Sequence, residues 1–520
     1  MKPFDAKGEF NPVAEGSGLR RVAVRSAGVT ILGQGTSFVV QLVSTMVLAR
    51  LLTPSDFGVV TMVTTFSLVV QSFGLNGFTE FIMQYGELNH ALTSNLFWME
   101  TGIGLLLSLV FAAAAPFLEL FYHNPTVAQV TLGLSPAIFI GCLAWIHLGL
   151  LQRAMLFRTR VIIMLFAQVA QVTASIALAI AGWHFWALIG GTIVQTIVMS
   201  SGAWLACRWV PSLPGRVDAT GAGLKFALSV YSRYAFNYAT RNIDNLLVGW
   251  KYGAQTMGFY KKAYDMFVMA ECQLIAPIGA VAVSSLSRVS QDRKQFHHYF
   301  LSAVSVLAFI GMGVGADIAL IGGDTIRILL GPGWERAGQI FSLFGPGIGV
   351  MMLYSTQGWI HLSIGRPDRW FRWGLIEFAC TASLFVFALH WGPSGIALAW
   401  TASYFLLMFP GFWYAGRPIG LTVGRVFSVI WKFLAVSALA GYATALIIRA
   451  VPALATPNAL LIVALRMVST TVIFAALYLI GVILIHQSLD PLKETIRLLS
   501  DLRPGSQAEQ YPVHETTSSS

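Results

Sequence analysis

Charge is scarce in this chain. Of 520 residues only 11% are Asp, Glu, Lys or Arg, whereas 56% are hydrophobic, and the mean hydropathy is +0.69. A water-soluble chain of this length has too little polar surface to cover so much apolar side chain, which excludes a soluble enzyme or binding protein. Cysteine is also sparse. Cys142, Cys207, Cys272 and Cys380 lie far apart in apolar stretches, without metal-ligand or disulfide-framework spacing, and read as buried thiols. There is no cleavable leader pattern: the first 25 residues are polar and basic, with Lys2, Lys7, Arg20, Arg21 and Arg25, so the first apolar segment is expected to be a retained membrane helix. No Asp-x-Asp pair, Ser/His/Asp arrangement or P-loop is present. Gly311, Gly313 and Gly315 are not followed by Lys-Ser/Thr and are expected to allow close helix contact.

The chain does contain apolar segments of about 20 residues, the length that crosses a bilayer core. Fourteen are expected, which makes the fold class an all-α integral membrane protein. Of the 33 Lys and Arg residues, 23 fall on the N-terminal tail, the even connections and the C-terminal tail. By the positive-inside rule both termini are expected in the cytoplasm. This distribution explains the net charge of +10 as membrane topology and not as nucleic-acid binding. Trp183, Trp186, Trp391 and Trp400 are expected to anchor membrane edges.

A polar stripe occurs twice, 200 residues apart. Gln34, Ser37, Gln41, Ser44 and Thr45 share one helix face, and Tyr234, Asn237, Arg241, Asp244 and Asn245 repeat that spacing. Each stripe is followed by a similar turn, Asp56–Phe57–Gly58 in one copy and Thr256–Met257–Gly258 in the other. The offset holds six segments, an even number. Both copies therefore enter the membrane in the same direction, as a parallel repeat about an axis along the membrane normal. The expected organisation is a tail over 1–25, one six-helix lobe over 26–210, a linker over 211–225 that forms an interfacial helix, and a second lobe over 226–416. Two further helices follow over 417–488, and a tail over 489–520 is expected to be disordered at its end. Paired polar faces inside a membrane protein are most simply a transport cavity.

Arg241 carries the sharpest chemistry, because an arginine at mid-membrane costs about 2.5–3.5 kcal/mol unless it faces a cavity or a partner. It is either a forked donor for a phosphate or acidic sugar or one half of an ion pair with Asp244. Arg233 either captures a headgroup or snorkels to the cytoplasmic edge. The hydroxyls and amides of the first stripe either line the cavity or bond between helices. Among the acids Glu80, Glu100, Glu271, Asp317 and Glu377, Glu271 is the first choice for a coupling-ion site, since Gln71 at the matching position is also polar.

Arg50–Leu–Leu–Thr–Pro–Ser–Asp–Phe–Gly58, Gly74–Leu–Asn–Gly–Phe78, Leu151–Gln–Arg–Ala–Met–Leu–Phe157 and Asn242–Ile–Asp–Asn–Leu246 together resemble Wzx-type polysaccharide exporters. These belong to the multidrug/oligosaccharidyl-lipid/polysaccharide (MOP) superfamily, and the resemblance spans roughly residues 25–485. It implies two six-helix lobes around a cavity and alternating-access transfer of an undecaprenyl-diphosphate-linked oligosaccharide across the bacterial inner membrane. It also implies no cofactor and no catalytic step, with a polysaccharide polymerase or other assembly proteins as possible partners. A MATE-like cation antiporter of the same superfamily is the nearest alternative, but cationic drugs call for carboxylates and aromatic faces and not for Arg233 and Arg241. A membrane glycosyltransferase or polymerase is disfavoured by the short connections and the missing catalytic carboxylates.

Overall fold

The computed structural model describes residues 3–10, 19–217, 219–451 and 459–487. Among them the chain is helical, with two isolated backbone bridges and no sheet. The helices are α1 (Leu19–Leu51), α2 (Pro54–Asn76), α3 (Phe78–Gln84), α4 (His90–Ala113), α5 (Ala115–Tyr122), α6 (Pro125–Arg153), α7 (Phe157–Ile180) and α8 (Trp186–Cys207). They continue as α9 (Ala219–Arg288), α10 (Arg293–Leu330), α11 (Glu335–Ser355), α12 (Gln357–Ser363), α13 (Pro367–Ala388), α14 (Gly392–Gly416), α15 (Val423–Ala450) and α16 (Leu460–His486). Every apolar segment expected from the sequence lies in a helix. Among the described residues ten helical stretches are long and apolar enough to cross a membrane, and the count of fourteen crossings stays an expectation.

Local chemistry sets the helix ends. Asn89 starts α4 by accepting from the Leu92 amide at 2.8 Å, and Asn124 starts α6 by accepting from the Thr126 amide at 3.0 Å, with Pro125 at the first helical position. The 70 residues of α9 would span roughly 105 Å if straight, several bilayer cores. Gly253, at φ 75 and ψ −179, breaks it into two helices. A positive φ of that kind suits glycine and strains other residues.

The chain forms two compact units. The first comprises Met1–Lys262 with Leu329–Trp334, and the second Ala263–Ile328 with Glu335–Ser520. In the first unit, Phe78, Ile82, Leu92, Leu96, Ile146 and Leu150 build an apolar core between α3, α4 and α6, and Ala227 of α9 packs into it. The N-terminal residues, expected to be a plain polar tail, are packed. Phe4 bridges Phe10, Phe10 N–H donates to Leu88 O at 3.1 Å, and His90 N–H donates to Gly8 O at 2.7 Å. The Arg153 guanidinium lies 5.0 Å from the Phe10 ring and closes the same region by donating to the carbonyls of Ile82, Tyr85 and Gly86.

Residues 211–217 do not form the expected interfacial helix. Pro211 and Pro214 lack the N–H a helix requires. The segment is held as irregular chain by side chains of α4: Asn95 brackets Gly215 with bonds of 2.7 and 2.9 Å, Ser94 accepts from the Ser212 amide at 3.0 Å, and the Trp98 indole donates to Ser212 O at 2.8 Å.

In the second unit, Phe267 stacks on Phe344 at 4.6 Å, and Trp400 packs against Phe385 at 5.0 Å. Trp400 is buried, which corrects its expected place at a membrane edge, whereas Trp183, Trp186 and Trp391 are exposed near helix ends. The glycine pattern on α10 does permit close contact. A Cβ at Gly311 would meet the backbone of Gly349 at 3.3 Å, and one at Gly315 would meet the Gly345 carbonyl at 2.7 Å. Arg466 of α16 pairs with Asp324 of α10 through its Nε, 2.7 Å from Oδ2, and one terminal nitrogen. Arg466 stood without a partner in the sequence, and its acid lies 142 residues away.

Candidate functional site

Both polar stripes lie in the first unit, and the structure divides each in the same way. Gln34 and Gln41 of α1 are exposed, while Ser44 and Thr45, nearer the end of the helix, are buried. In the second copy Tyr234 and Arg241 are exposed, while Asp244 and Asn245 are buried. Positions 200 residues apart thus share one environment. Two roles emerge: the pairs 34/41 and 234/241 present polar groups to open space, whereas 44/45 and 244/245 serve packing.

The buried members of the second stripe are held by named bonds. The Tyr260 hydroxyl donates to Asp244 Oδ2 at 2.5 Å, and Asn245 donates to Asn242 Oδ1 at 2.9 Å. Ser37 takes the interhelical role weighed above: its hydroxyl donates to Gln168 Oε1 at 2.5 Å, and the Gln168 amide donates back to Ser37 O at 3.0 Å, joining α1 to α7. Arg241 lies twelve residues before the break at Gly253, roughly 18 Å along the helix. Asn237, Arg233 and Glu271 have side chains outside the described residues.

Where the two copies meet, the contact is reciprocal. A Cβ on Gly58 would fall 1.7 Å from the carbonyl oxygen of Ala254, and a Cβ on Gly258 would fall 1.8 Å from the carbonyl oxygen of Pro54. Residues 54 and 58 match 254 and 258 by the repeat offset, so one contact is made twice about a local twofold. Only glycine permits a backbone carbonyl to approach this closely. Trp334 caps the junction. It is almost fully buried, its indole donates to Ala49 O at 2.9 Å, and it packs edge-on against Phe57 and Phe259 at 5.7 and 5.9 Å. The Lys262 ammonium lies 4.1 Å from the Phe57 ring. The resemblance of the two turns was visible in the sequence, but their contact was not.

The remaining acids fall into different settings. Asp317 accepts from Thr471 at 3.1 Å and Glu80 from Gln84 at 3.5 Å, while Glu377 is half-buried. Glu100 is wholly buried in α4, and neither carboxyl oxygen has a hydrogen-bond partner. An unmet buried polar group costs about 1–3 kcal/mol. Glu100→Met, which keeps the length and removes the polar head, is therefore expected to raise stability by about that amount. The thermal unfolding midpoint of the purified variant checks this, and a lower midpoint would mean that the acid is satisfied. No group of three or more His, Cys, Asp or Glu residues that could hold a metal occurs among the described residues.

Comparison with known proteins agrees with this architecture. A family model described as polysaccharide biosynthesis protein matches residues 47–339, more than half the chain. The succinoglycan biosynthesis transport protein ExoT of Rhizobium meliloti (strain 1021) is 21% identical over 383 residues, covering 73% of this chain and 77% of that protein. The teichuronic acid biosynthesis protein TuaB of Bacillus subtilis (strain 168) is 23% identical over 379 residues, 70% and 76% respectively. Among solved structures, the lipid II flippase MurJ in its inward closed conformation superposes with a TM-score of 0.71 at 15% identity, over 90% of this chain and 99% of that one. An inward-facing MATE multidrug transporter of the MOP superfamily gives 0.56 at 14% identity, over 74% and 94%. At these identities the structures establish the fold, which is of MOP type, and not the substrate. The matched sequence extends from the end of α1 into α11, through both the reciprocal turn contact and the second polar stripe, and by that match the chain belongs to the polysaccharide biosynthesis protein family.

Proposed function

We propose that this protein moves lipid-linked oligosaccharide repeat units across the bacterial inner membrane for assembly of a surface or secreted polysaccharide. The single observation that carries the reading is the matched environment of the two stripes. Gln34 and Gln41 in one copy, and Tyr234 and Arg241 in the other, offer open polar surface in a family of polysaccharide biosynthesis proteins. Amides and hydroxyls suit a glycan, and the Arg241 fork suits the diphosphate that joins it to the prenyl chain. The prenyl chain stays in lipid while the glycan crosses.

With both termini cytoplasmic, the turns at residues 54–58 and 254–258 and the segment 329–334 all lie on the outer face. The reciprocal glycine contact under Trp334 is then the closed outer gate, and alternating access requires it to open and reform. In this reading a polymerase or other assembly proteins receive the cargo outside the membrane. Glu271 is the proposed coupling-ion site.

The test is complementation of a deletion strain with wild type or Arg241→Ala, with surface polymer and lipid-linked precursor both quantified. The proposal expects lost polymer and accumulated precursor in the deletion, reversed by wild type and not by a normally expressed Arg241→Ala. Unchanged polymer and precursor on deletion would send the function to cation efflux.

A further inference from the structure

One end of the second unit gathers cations with few acids to answer them. Residues 288–298 and 417–432 carry Arg288, Arg293, Lys294, Arg417, Arg425 and Lys432 against a single acid, Asp292. In the sequence these belong to separate connections and read only as topology signals. The fold brings two of them together, where the start of α10 meets the turn that joins α14 to α15.

His297 is the hub of this contact. It follows Arg293 by four residues on α10, so the two side chains share a helix face. Its Nε2 donates to Ile419 O at 3.0 Å, which leaves Nδ1 to accept from a terminal nitrogen of Arg425 at 3.3 Å. Arg293 reaches the same turn, and its Nη1 would lie 3.7 Å from a Cβ placed on Gly420. Two guanidinium groups from distant parts of the chain thus flank one turn, and both are exposed. Arg425 gives His297 one of its five N–H donors, and Arg293 has no hydrogen bond or ion pair among the described residues. Asp292 is their neighbour, but its Oδ1 accepts from the Lys294 and Gln295 amides at 2.9 and 3.2 Å and caps α10. Cations held this close repel one another, and an anion between them relieves that repulsion.

An apolar band adjoins the arginines. Phe409 of α14 and Phe427 of α15 meet with ring centroids 5.5 Å apart, and Phe409, Trp413, Phe427 and Trp431 are all exposed. The Arg417 guanidinium lies 5.9 Å from the Trp413 ring. Both helices belong to stretches long and apolar enough to cross a membrane, so exposed rings near their ends face the lipid interface. A free phosphate or a nucleic acid would use the cations and leave the rings idle, whereas an anionic amphiphile uses both.

We propose that this patch binds an anionic phospholipid, its phosphate between Arg293 and Arg425 and its acyl chains along Phe409, Phe427 and Trp431. Charge selects the headgroup. Phosphatidylglycerol brings a phosphate and no cation, whereas the ammonium of phosphatidylethanolamine would stand among arginines with Asp292 turned to its own helix. In the topology proposed above the patch faces the inner leaflet, where basic residues meet anionic lipid. The leaflet assignment rests on that topology. The binding claim does not, and it is independent of what the protein carries.

The test uses the purified full-length protein in detergent micelles, titrated with phosphatidylglycerol or phosphatidylethanolamine and read by native mass spectrometry. Phosphatidylglycerol is expected to bind roughly tenfold more tightly. One Lys or Arg beside an anionic headgroup changes affinity about fivefold. Arg293→Gln and Arg425→Gln should each lower phosphatidylglycerol binding by about that factor, and the double variant by roughly twentyfold. Binding of phosphatidylethanolamine should change little. Arg158→Gln, on an exposed arginine of the first unit, should leave both affinities unchanged, and thermal melts separate lost binding from misfolding. Equal binding of the two lipids would overturn the proposal. So would a loss in Arg158→Gln as large as in Arg425→Gln, which would show a diffuse positive surface. Displacement of phosphatidylglycerol by a tighter-binding polyprenyl diphosphate would also overturn it and make the patch an entry point for the cargo.

Discussion

Gly258→Leu is expected to abolish transport in a protein that still folds and inserts. Even the first carbon of the new side chain would stand 1.8 Å from the Pro54 carbonyl oxygen. Neither partner yields easily, because both are backbone in the opening turns of helices. Overpacking a close contact costs about 1–3 kcal/mol or more, and a conflict with a backbone carbonyl falls at the upper end. If the contact forms only when the outer side is closed, the cost falls on that state alone. A bias of about 3 kcal/mol shifts a two-state population more than a hundredfold. The variant should then stay open to the outside. A cysteine introduced at Gln41, in a background lacking the native cysteines, should react faster with a membrane-impermeant thiol reagent. Symmetry sharpens the expectation. Gly58→Leu meets Ala254 O at 1.7 Å in the same geometry, so the two variants should match in effect, and the double variant should be scarcely worse than either. Wild-type transport in both single variants would show that the contact does not gate.

Arg241→Ala is expected to have the next largest effect. A hydrogen bond to a charged group contributes about 1.5–3 kcal/mol, so losing the guanidinium should lower transport roughly ten- to a hundredfold at limiting substrate. Arg241→Lys keeps the charge but not the planar fork, and should recover only part of the loss. Gln41→Ala, at the matching neutral position, should cost far less. Asp244→Asn probes the opposite role. Its Tyr260 bond is buried, so it should lower thermal stability more than it lowers transport. Should Arg241→Ala and Asp244→Asn instead lose stability equally and leave transport of the folded protein unchanged, Arg241 would be a structural partner of Asp244 and no substrate contact.

The helices were legible because about 20 consecutive apolar residues can do little else in a bilayer. The repeat was legible because it is written in sequence at a fixed offset, and the shared burial of Ser44 with Asp244 and of Thr45 with Asn245 follows from it. What could not be read is long-range pairing. Nothing near Arg466 indicates an acid 142 residues away, and nothing near Gly58 indicates the Ala254 carbonyl. The docking of residues 3–10 combines backbone bonds to Leu88 and from His90, which leave no side-chain signature, with packing of Phe4 and Phe10 on residues far along the chain. Residues 211–217 of the linker are not helical for a reason the sequence did hold, their two prolines, whereas its residues 219–225 open α9. Trp400 has the composition of an edge anchor, but it packs with Tyr404 and Phe385 inside the second unit. Within the stripe, period alone could not separate Ser37, bonded across to Gln168, from Gln41, which is exposed.

The central claim is that this protein carries lipid-linked oligosaccharide from one leaflet to the other. The most direct measurement reconstitutes the purified protein into vesicles that hold the lipid-linked precursor in both leaflets. A membrane-impermeant sugar-oxidising reagent is then added outside, and the precursor left unmodified is followed over time. The protected inner pool is expected to drain in vesicles holding wild type and to persist in empty vesicles and in vesicles holding Gly258→Leu. A protected pool that persists with wild type, in vesicles where the protein is folded and the reagent stays outside, would contradict it.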